Sequence, residues 1–200
     1  LLFLSVWTSA GQREDVGYTH LQNRLGEDTP TGKGITVSAY EPEFIAFSGS
    51  TLPLGWMPAL SEENNHVNFI EMYKGAPLPI KSGNTSSHAT AVTRYMLGKE
   101  HGVSQGLEAV KFHNLQDYIS SLLYPRTSYQ AIEPLFLDTV FESSVNNFSA
   151  TGDFGPNNTD LLHRFDWATA REDTVNLISS GNDNLTSAPA IFSSSLNSIY

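Results

Sequence analysis

The chain has 200 residues, which is the length of one domain, and its 40% hydrophobic residues suffice for a sizeable core. Eleven Lys and Arg against 21 Asp and Glu give a net charge of -10, which argues against nucleic acid and anionic membranes as partners, because both attract a basic surface. There are no cysteines, so disulfides, a thiolate nucleophile and cysteine–zinc sites are excluded within the chain.

The first 34 residues give weak signals of regular structure. Residues 1–7 are apolar but too few to span a bilayer, and no basic flank precedes them. We therefore expect a first strand or a packed N-terminal arm there rather than the end of a signal sequence. Residues 8–34 are polar and glycine-rich and contain a predicted turn over 28–34. No other run of residues approaches the length of a membrane span.

From residue 35 onward, strand and helix signals alternate. A β-branched, alternating segment predicts a strand over Ile35–Tyr40, which Pro42 ends, and Val67–Tyr73 is the next strand candidate. Ser86–Leu97 is typical of a helix, because Ser86 or Ser87 can cap its start and Gly98 can close it. A short strand over Leu107–Phe112 follows.

The second half of the chain continues the alternation. We expect, in order, a helix over 115–123, a strand over Leu135–Glu142, a polar loop over 143–160, a helix capped by Asp166 and ending near Glu172, and a strand over Thr174–Ile178. This order predicts an α/β fold with a mainly parallel sheet, in which ligands bind beyond the carboxyl ends of the strands. Glu41, Ser143 and Asn182 all follow predicted strand ends.

An acid, a histidine and an amide in the predicted elements suggest acyl-transfer chemistry. A serine hydroxyl needs a base to remove its proton, and the histidine imidazole titrates in the right range for that role. His88 opens the predicted helix, Glu41 can hold its tautomer, and Asn182 can donate to a developing oxyanion. Each residue alone has a simpler reading: an unassigned helix-start histidine, an exposed strand-end acid and a turn-forming asparagine.

The order and separation of these segments resemble subtilisin-like serine proteases (subtilases). Gly34-Ile-Thr-Val-Ser-Ala-Tyr-Glu41 resembles the strand that ends in the catalytic Asp. Ser87-His88-Ala-Thr-Ala-Val92 resembles the segment around the catalytic His, and Ser180-Gly-Asn182-Asp183 resembles the Ala-Gly-Asn segment of the oxyanion hole. Two lesser matches lie between them, over 102–111 and 138–144. The last of these resembles the strand and edge that bind the substrate backbone, which implies that Ser143 and Ser144 contact substrate.

The chain departs from the family pattern in two main ways. Glu41 stands where Asp is usual, so the strand end or His88 must retreat by about 1.5 Å, one bond length, to fit the extra methylene. The Gly-Thr-Ser-x-Ala segment that carries the family's nucleophile does not occur downstream of Asn182. We therefore expect the serine beyond Tyr200 or on a partner chain.

The resemblance implies a three-layer subtilisin-like fold, with residues 1–200 as the N-terminal portion of one catalytic domain. It implies a secreted or extracytoplasmic serine endopeptidase that takes a peptide or protein substrate and whose remaining part either follows Tyr200 or lies on a second chain. A non-catalytic subtilase-like binding or assembly module is the alternative. No cofactor is required, although a structural calcium ion could bind a loop whose oxygens cluster, formed by Asp153, Asn157, Asn158 and Asp160. A polar surface loop is the simpler interpretation of that segment.

Overall fold

The computed structural model describes residues 11–42, 44–47, 50–53, 55–73, 76–77, 85–118, 143–149 and 158–178. Its helices are α1 (Gly11–Asp15), α2 (Tyr18–Leu25), α3 (Ser87–Leu97) and α4 (Asn158–Glu172), with a 3-10 turn over Gly26–Asp28 and helical backbone at 115–118. Its strands are β1 (Val37–Glu41), β2 (Phe44–Phe47), β3 (Ser50–Pro53), β4 (Asn68–Tyr73), β5 (Ala76–Pro77), β6 (Ala109–Asn114), β7 (Val145–Phe148) and β8 (Val175–Ile178).

Six strands form one sheet in the order β5-β4-β6-β1-β7-β8, and β2 and β3 form a separate hairpin. Five of the six strands are parallel, and the short β5 pairs antiparallel with β4. The prediction of an α/β fold with a mainly parallel sheet is confirmed. β1 lies in the interior of the sheet between β6 and β7, although both of these neighbours come much later in the chain.

Helices cover both faces of the sheet because its strands alternate two apolar sets of side chains. Val37 and Ala39 of β1 pack with Ala89 and Leu97 of α3 on one face. Tyr40 points to the other face, where it stacks on Phe148, which in turn contacts Phe165 of α4. The predicted three-layer arrangement of helix, sheet and helix is therefore present in the described residues.

The two strand–helix–strand crossovers differ in hand. The β4–α3–β6 and β7–α4–β8 connections both step in the same direction across the parallel sheet, but their helices lie on opposite faces. About 98% of such crossovers are right-handed, so one of these two breaks that rule. Of the two helices, α3 is the one that lies over the face of β1 on which Glu41 lies.

Several sequence predictions need correction. The polar loop expected over 143–160 contains β7 and the start of α4. Asp166, expected to cap a helix, lies inside α4, which begins two turns earlier at Asn158. The glycine-rich region 8–34 contains two short helices, α1 and α2, over its described part. The predicted strand Leu135–Glu142 and the segment 1–7 lie outside the described residues.

Other predictions hold. β1, β4, β6 and β8 lie within two residues of their predicted bounds, and α3 begins and ends as its caps indicated. Within the ranges that the structure describes, no helix is long and apolar enough to cross a membrane.

Candidate functional site

Glu41 is the last residue of β1 and lies at the carboxyl end of the parallel strands. All five residues of β1 are buried, and the Glu41 side chain has no exposed surface. Its Cα is paired with that of Asn114, the last residue of β6. A buried carboxylate is costly unless it is paired, so this position demands a partner.

The partner comes from the start of α3, which its N-cap fixes. The Ser86 hydroxyl accepts a hydrogen bond from the Ala89 amide at 3.1 Å, and the extended backbone of Ser86 suits that position. The Ser86 amide donates to the Met57 carbonyl at 2.8 Å, which ties the cap to a neighbouring segment. His88 follows two residues after the cap, within the first turn of the helix.

The structure brings Glu41 and His88 into direct contact. His88 Nδ1 and Glu41 Oε2 are 2.6 Å apart, and because a carboxylate only accepts, Nδ1–H is the donor. This fixes the tautomer in which Nε2 is the basic nitrogen. The imidazole is 38% exposed, so it is not sealed inside the core with Glu41. The contact is as short as a charge-assisted hydrogen bond, so the extra methylene of glutamate is accommodated.

The carboxylate also sets the protonation equilibrium of the imidazole. The hydrogen bond that His88 donates to Glu41 raises the pKa of His88 above its ordinary value of 6.5, and the Coulomb attraction of the same carboxylate adds to this rise. Partial burial opposes both effects by disfavouring the charged ring. An imidazolium next to Glu41 is therefore stabilised, which is what a base requires after it has accepted a proton.

The raised pKa predicts a specific pH dependence of stability. Below pH 6.5, the pKa of His88 in the unfolded chain, the His88–Glu41 interaction contributes fully to the free energy of unfolding. This contribution is lost as the pH rises through the higher pKa of the folded state. We expect the free energy of unfolding to fall across that window more steeply in the wild type than in His88→Gln. Urea unfolding at a series of pH values on both sides of 6.5 measures this difference. Parallel pH profiles would contradict it.

Ser143 and Ser144 do not lie beside this pair. They precede β7, and the Ser143 hydroxyl accepts a hydrogen bond from Ser38 Oγ at 2.8 Å inside the sheet. The Ser144 amide donates to Thr36 Oγ1 at 3.2 Å, just before β1 begins. Both serines therefore lie at the amino ends of the strands, opposite Glu41. The strand predicted over 135–142, whose end they were expected to follow, lies outside the described residues.

The residue that follows the carboxyl end of β7 is Ser149. Tyr40 is paired with Phe148, the last residue of β7, so Ser149 follows that strand at the end of the sheet where Glu41 lies. Its hydroxyl accepts a hydrogen bond from the Asn147 side-chain amide. Two asparagines within Val145–Phe148 resemble a loop, so this position was not predicted from the sequence. The alternation of Val145 and Asn147 with the buried Asn146 and Phe148 was the available signal.

Two other candidate sites are only partly described. Asn182 lies outside the described residues, four positions after the end of β8 at Ile178. Of the expected calcium loop, Asp153 and Asn157 also lie outside, whereas Asn158 and Asp160 belong to the first turn of α4. Among the described side chains, no three His, Asp or Glu residues come together in a way that could hold a metal ion.

Comparison with known proteins adds no assignment to this geometry. No protein-family model matches the chain, and a search of curated proteins finds no match either.

Proposed function

We propose that the protein is a subtilisin-like serine endopeptidase in which Glu41 and His88 supply two members of the catalytic triad. The observation that carries the proposal is the 2.6 Å contact between His88 Nδ1 and Glu41 Oε2 at the carboxyl ends of a parallel sheet. A buried acid that orients a half-exposed imidazole leaves Nε2 available to a hydroxyl, as general-base catalysis requires.

In the proposed reaction His88 Nε2 takes the proton of a serine hydroxyl as that oxygen attacks the peptide carbonyl. Glu41 stabilises the imidazolium without becoming protonated, and His88 then gives the proton to the leaving amine. Because the base must be neutral to act, activity rises with pH through the raised pKa of His88. Asn182 donates to the oxyanion of the tetrahedral intermediate in this proposal.

Substrate backbone binding is assigned to the carboxyl end of β7, at Ser149. This replaces the earlier expectation for Ser143 and Ser144. The support is positional: Ser149 follows the strand next to β1 at the end of the sheet where Glu41 lies, whereas the other two serines are at the far end of the same strands. An extended peptide that reaches Ser149 also reaches the imidazole.

The nucleophilic serine is proposed to lie beyond Tyr200 or on a second chain that carries the rest of the domain. A fluorophosphonate probe applied to the complete, assembled protein tests this directly, because it reacts with an activated serine. We expect one labelled serine outside residues 1–200 and loss of labelling in His88→Ala. A complete protein that takes no label, or a label that is retained in His88→Ala, would contradict the catalytic proposal.

The second candidate function is a non-catalytic module of the same type. The glutamate at position 41 favours it, since the family uses aspartate there. The two functions differ in one measurable respect: a module can keep the Glu41–His88 contact and still hydrolyse no peptide. If a nucleophile-type serine is present on the downstream or partner segment and the complete protein still hydrolyses no peptide, the binding module is supported.

A further inference from the structure

A second set of hydrogen bonds joins the start of α3 to the segment 57–59. The Ser86 amide donates to the Met57 carbonyl at 2.8 Å, and Met57 also forms a parallel β-bridge with Thr85. Two residues further along, the Ala59 amide donates to Thr90 Oγ1 at 2.9 Å. The segment therefore holds α3 on both sides of His88.

Thr90 makes the second of these connections, the hydrogen bond with Ala59. Its hydroxyl donates to the Ser86 carbonyl at 2.7 Å, and its amide donates to the same carbonyl at 3.0 Å. The Thr90 hydroxyl thus donates its one proton to the carbonyl of the N-cap residue and accepts the proton of the Ala59 amide, so it acts both as donor and as acceptor. Removing it leaves the Ala59 amide without this acceptor.

Thr90 does not act on the imidazole directly. It lies two residues beyond His88, about 200° around the helix, so the two side chains point in different directions. What it controls is the backbone of 86–90, which sets the distance from the His88 ring to Glu41. A hydrogen bond of 2.6 Å tolerates little movement of either partner.

We infer that Thr90 is a positioning residue for His88, and that the hydrogen bonds from Ala59 through Thr90 to Ser86 keep the imidazole within reach of Glu41. The inference rests on the proposed role of His88 as general base. Thr90→Val preserves the branched shape of the side chain and removes the hydroxyl, whereas Thr90→Ser keeps the hydroxyl and removes the methyl group.

The chain offers a matched control at Thr169 in α4. Thr169 Oγ1 donates to the Phe165 carbonyl, four residues earlier, at 2.8 Å and accepts from Asn176 Nδ2 at 2.7 Å. This is the same arrangement as at Thr90, on the opposite face of the sheet. Thr169→Val therefore removes an equivalent pair of hydrogen bonds without touching α3.

The test is an NMR titration of the His88 ring in the complete protein. We expect its pKa to fall toward 6.5 in Thr90→Val and to stay at the wild-type value in Thr90→Ser and Thr169→Val. An unchanged pKa in Thr90→Val, or an equal fall in Thr169→Val, would overturn the inference. Should Thr90→Val not fold, Thr90→Cys, with its weakly bonding thiol, faces the same outcomes.

Activity supplies an independent readout. In an active protein, Thr90→Val should lower kcat about 10- to 10²-fold with little change in KM, because a misplaced base affects the chemical step. The titration needs no activity. If the His88 pKa falls in Thr90→Val but the wild type hydrolyses no peptide, the positioning role of Thr90 stands and the proposed function is rejected. If the wild type hydrolyses peptide but the His88 pKa does not change in Thr90→Val, the proposed function stands and the positioning role is rejected.

Discussion

His88→Ala is expected to lower kcat/KM for peptide hydrolysis by at least about 10²–10⁴-fold, which is the usual contribution of a positioned acid–base group. The substitution removes the imidazole that lies 2.6 Å from Glu41 Oε2 and eliminates the nitrogen that would accept the serine proton. The imidazole is partly exposed, but its removal leaves the buried Glu41 carboxylate without this partner, so His88→Ala should be less stable than the wild type and its fold has to be verified. Steady-state hydrolysis of a peptide substrate by the complete protein measures the effect.

The control for this change is His20→Ala, in the exposed part of α2. It removes an imidazole of the same size from an exposed position that takes no part in the Glu41–His88 pair, and it should leave hydrolysis unchanged. Equal activity of His88→Ala and the wild type would reject His88 as the base, provided that circular dichroism shows both to be folded.

Glu41→Gln is the second change with a large expected effect. It preserves the volume of a fully buried side chain but removes the negative charge that stabilises the imidazolium. We expect a loss of kcat of up to about 10⁴-fold and a lower pKa of His88, since the hydrogen bond to Glu41 is the largest cause of its rise. Kinetics and an NMR titration of the imidazole check the two parts separately.

Glu41→Asp separates charge from reach. It retains the carboxylate but withdraws it by about 1.5 Å, which lengthens the 2.6 Å contact beyond hydrogen-bond distance unless α3 moves. A loss of kcat of about 10²-fold is expected from such a misplacement.

Glu71→Gln is the matched control for Glu41→Gln, because Glu71 is another buried glutamate on the same face of the sheet. A fall in the His88 pKa in Glu71→Gln as large as in Glu41→Gln would contradict this account.

The sequence predicted best where local and long-range signals agree. Ser86 and Gly98 are caps with a physical function, and the residues between them have helical periodicity, so α3 matched its prediction. β1 was similarly clear because alternating β-branched residues end at Pro42. Glu41 and His88 then met because a strand end and a helix start face each other across the edge of an α/β sheet.

The failures arise where tertiary contacts override local preference. Asn146 is fully buried in β7, a placement that asparagine disfavours, and its side-chain amide donates to the Ser143 carbonyl at 3.2 Å. No local pattern reveals that bond, so β7 was predicted as part of a loop and Ser149 was not recognised as the residue that follows its carboxyl end. Asp166 was taken for a helix cap because aspartate favours that position, although it lies near the middle of α4.

The position of β1 in the sheet has a consequence for how the protein folds. Val37 pairs with Val110 on one side and with Val145 on the other, so neither neighbour of β1 exists when it leaves the ribosome. Translation at about 5–20 residues per second leaves the strand unpaired on both sides for several seconds. Glu41 can be buried only after this wait, and such non-local pairing is slow to form and prone to aggregation. We expect β1 to need protection by chaperones until β6 and β7 have been synthesised.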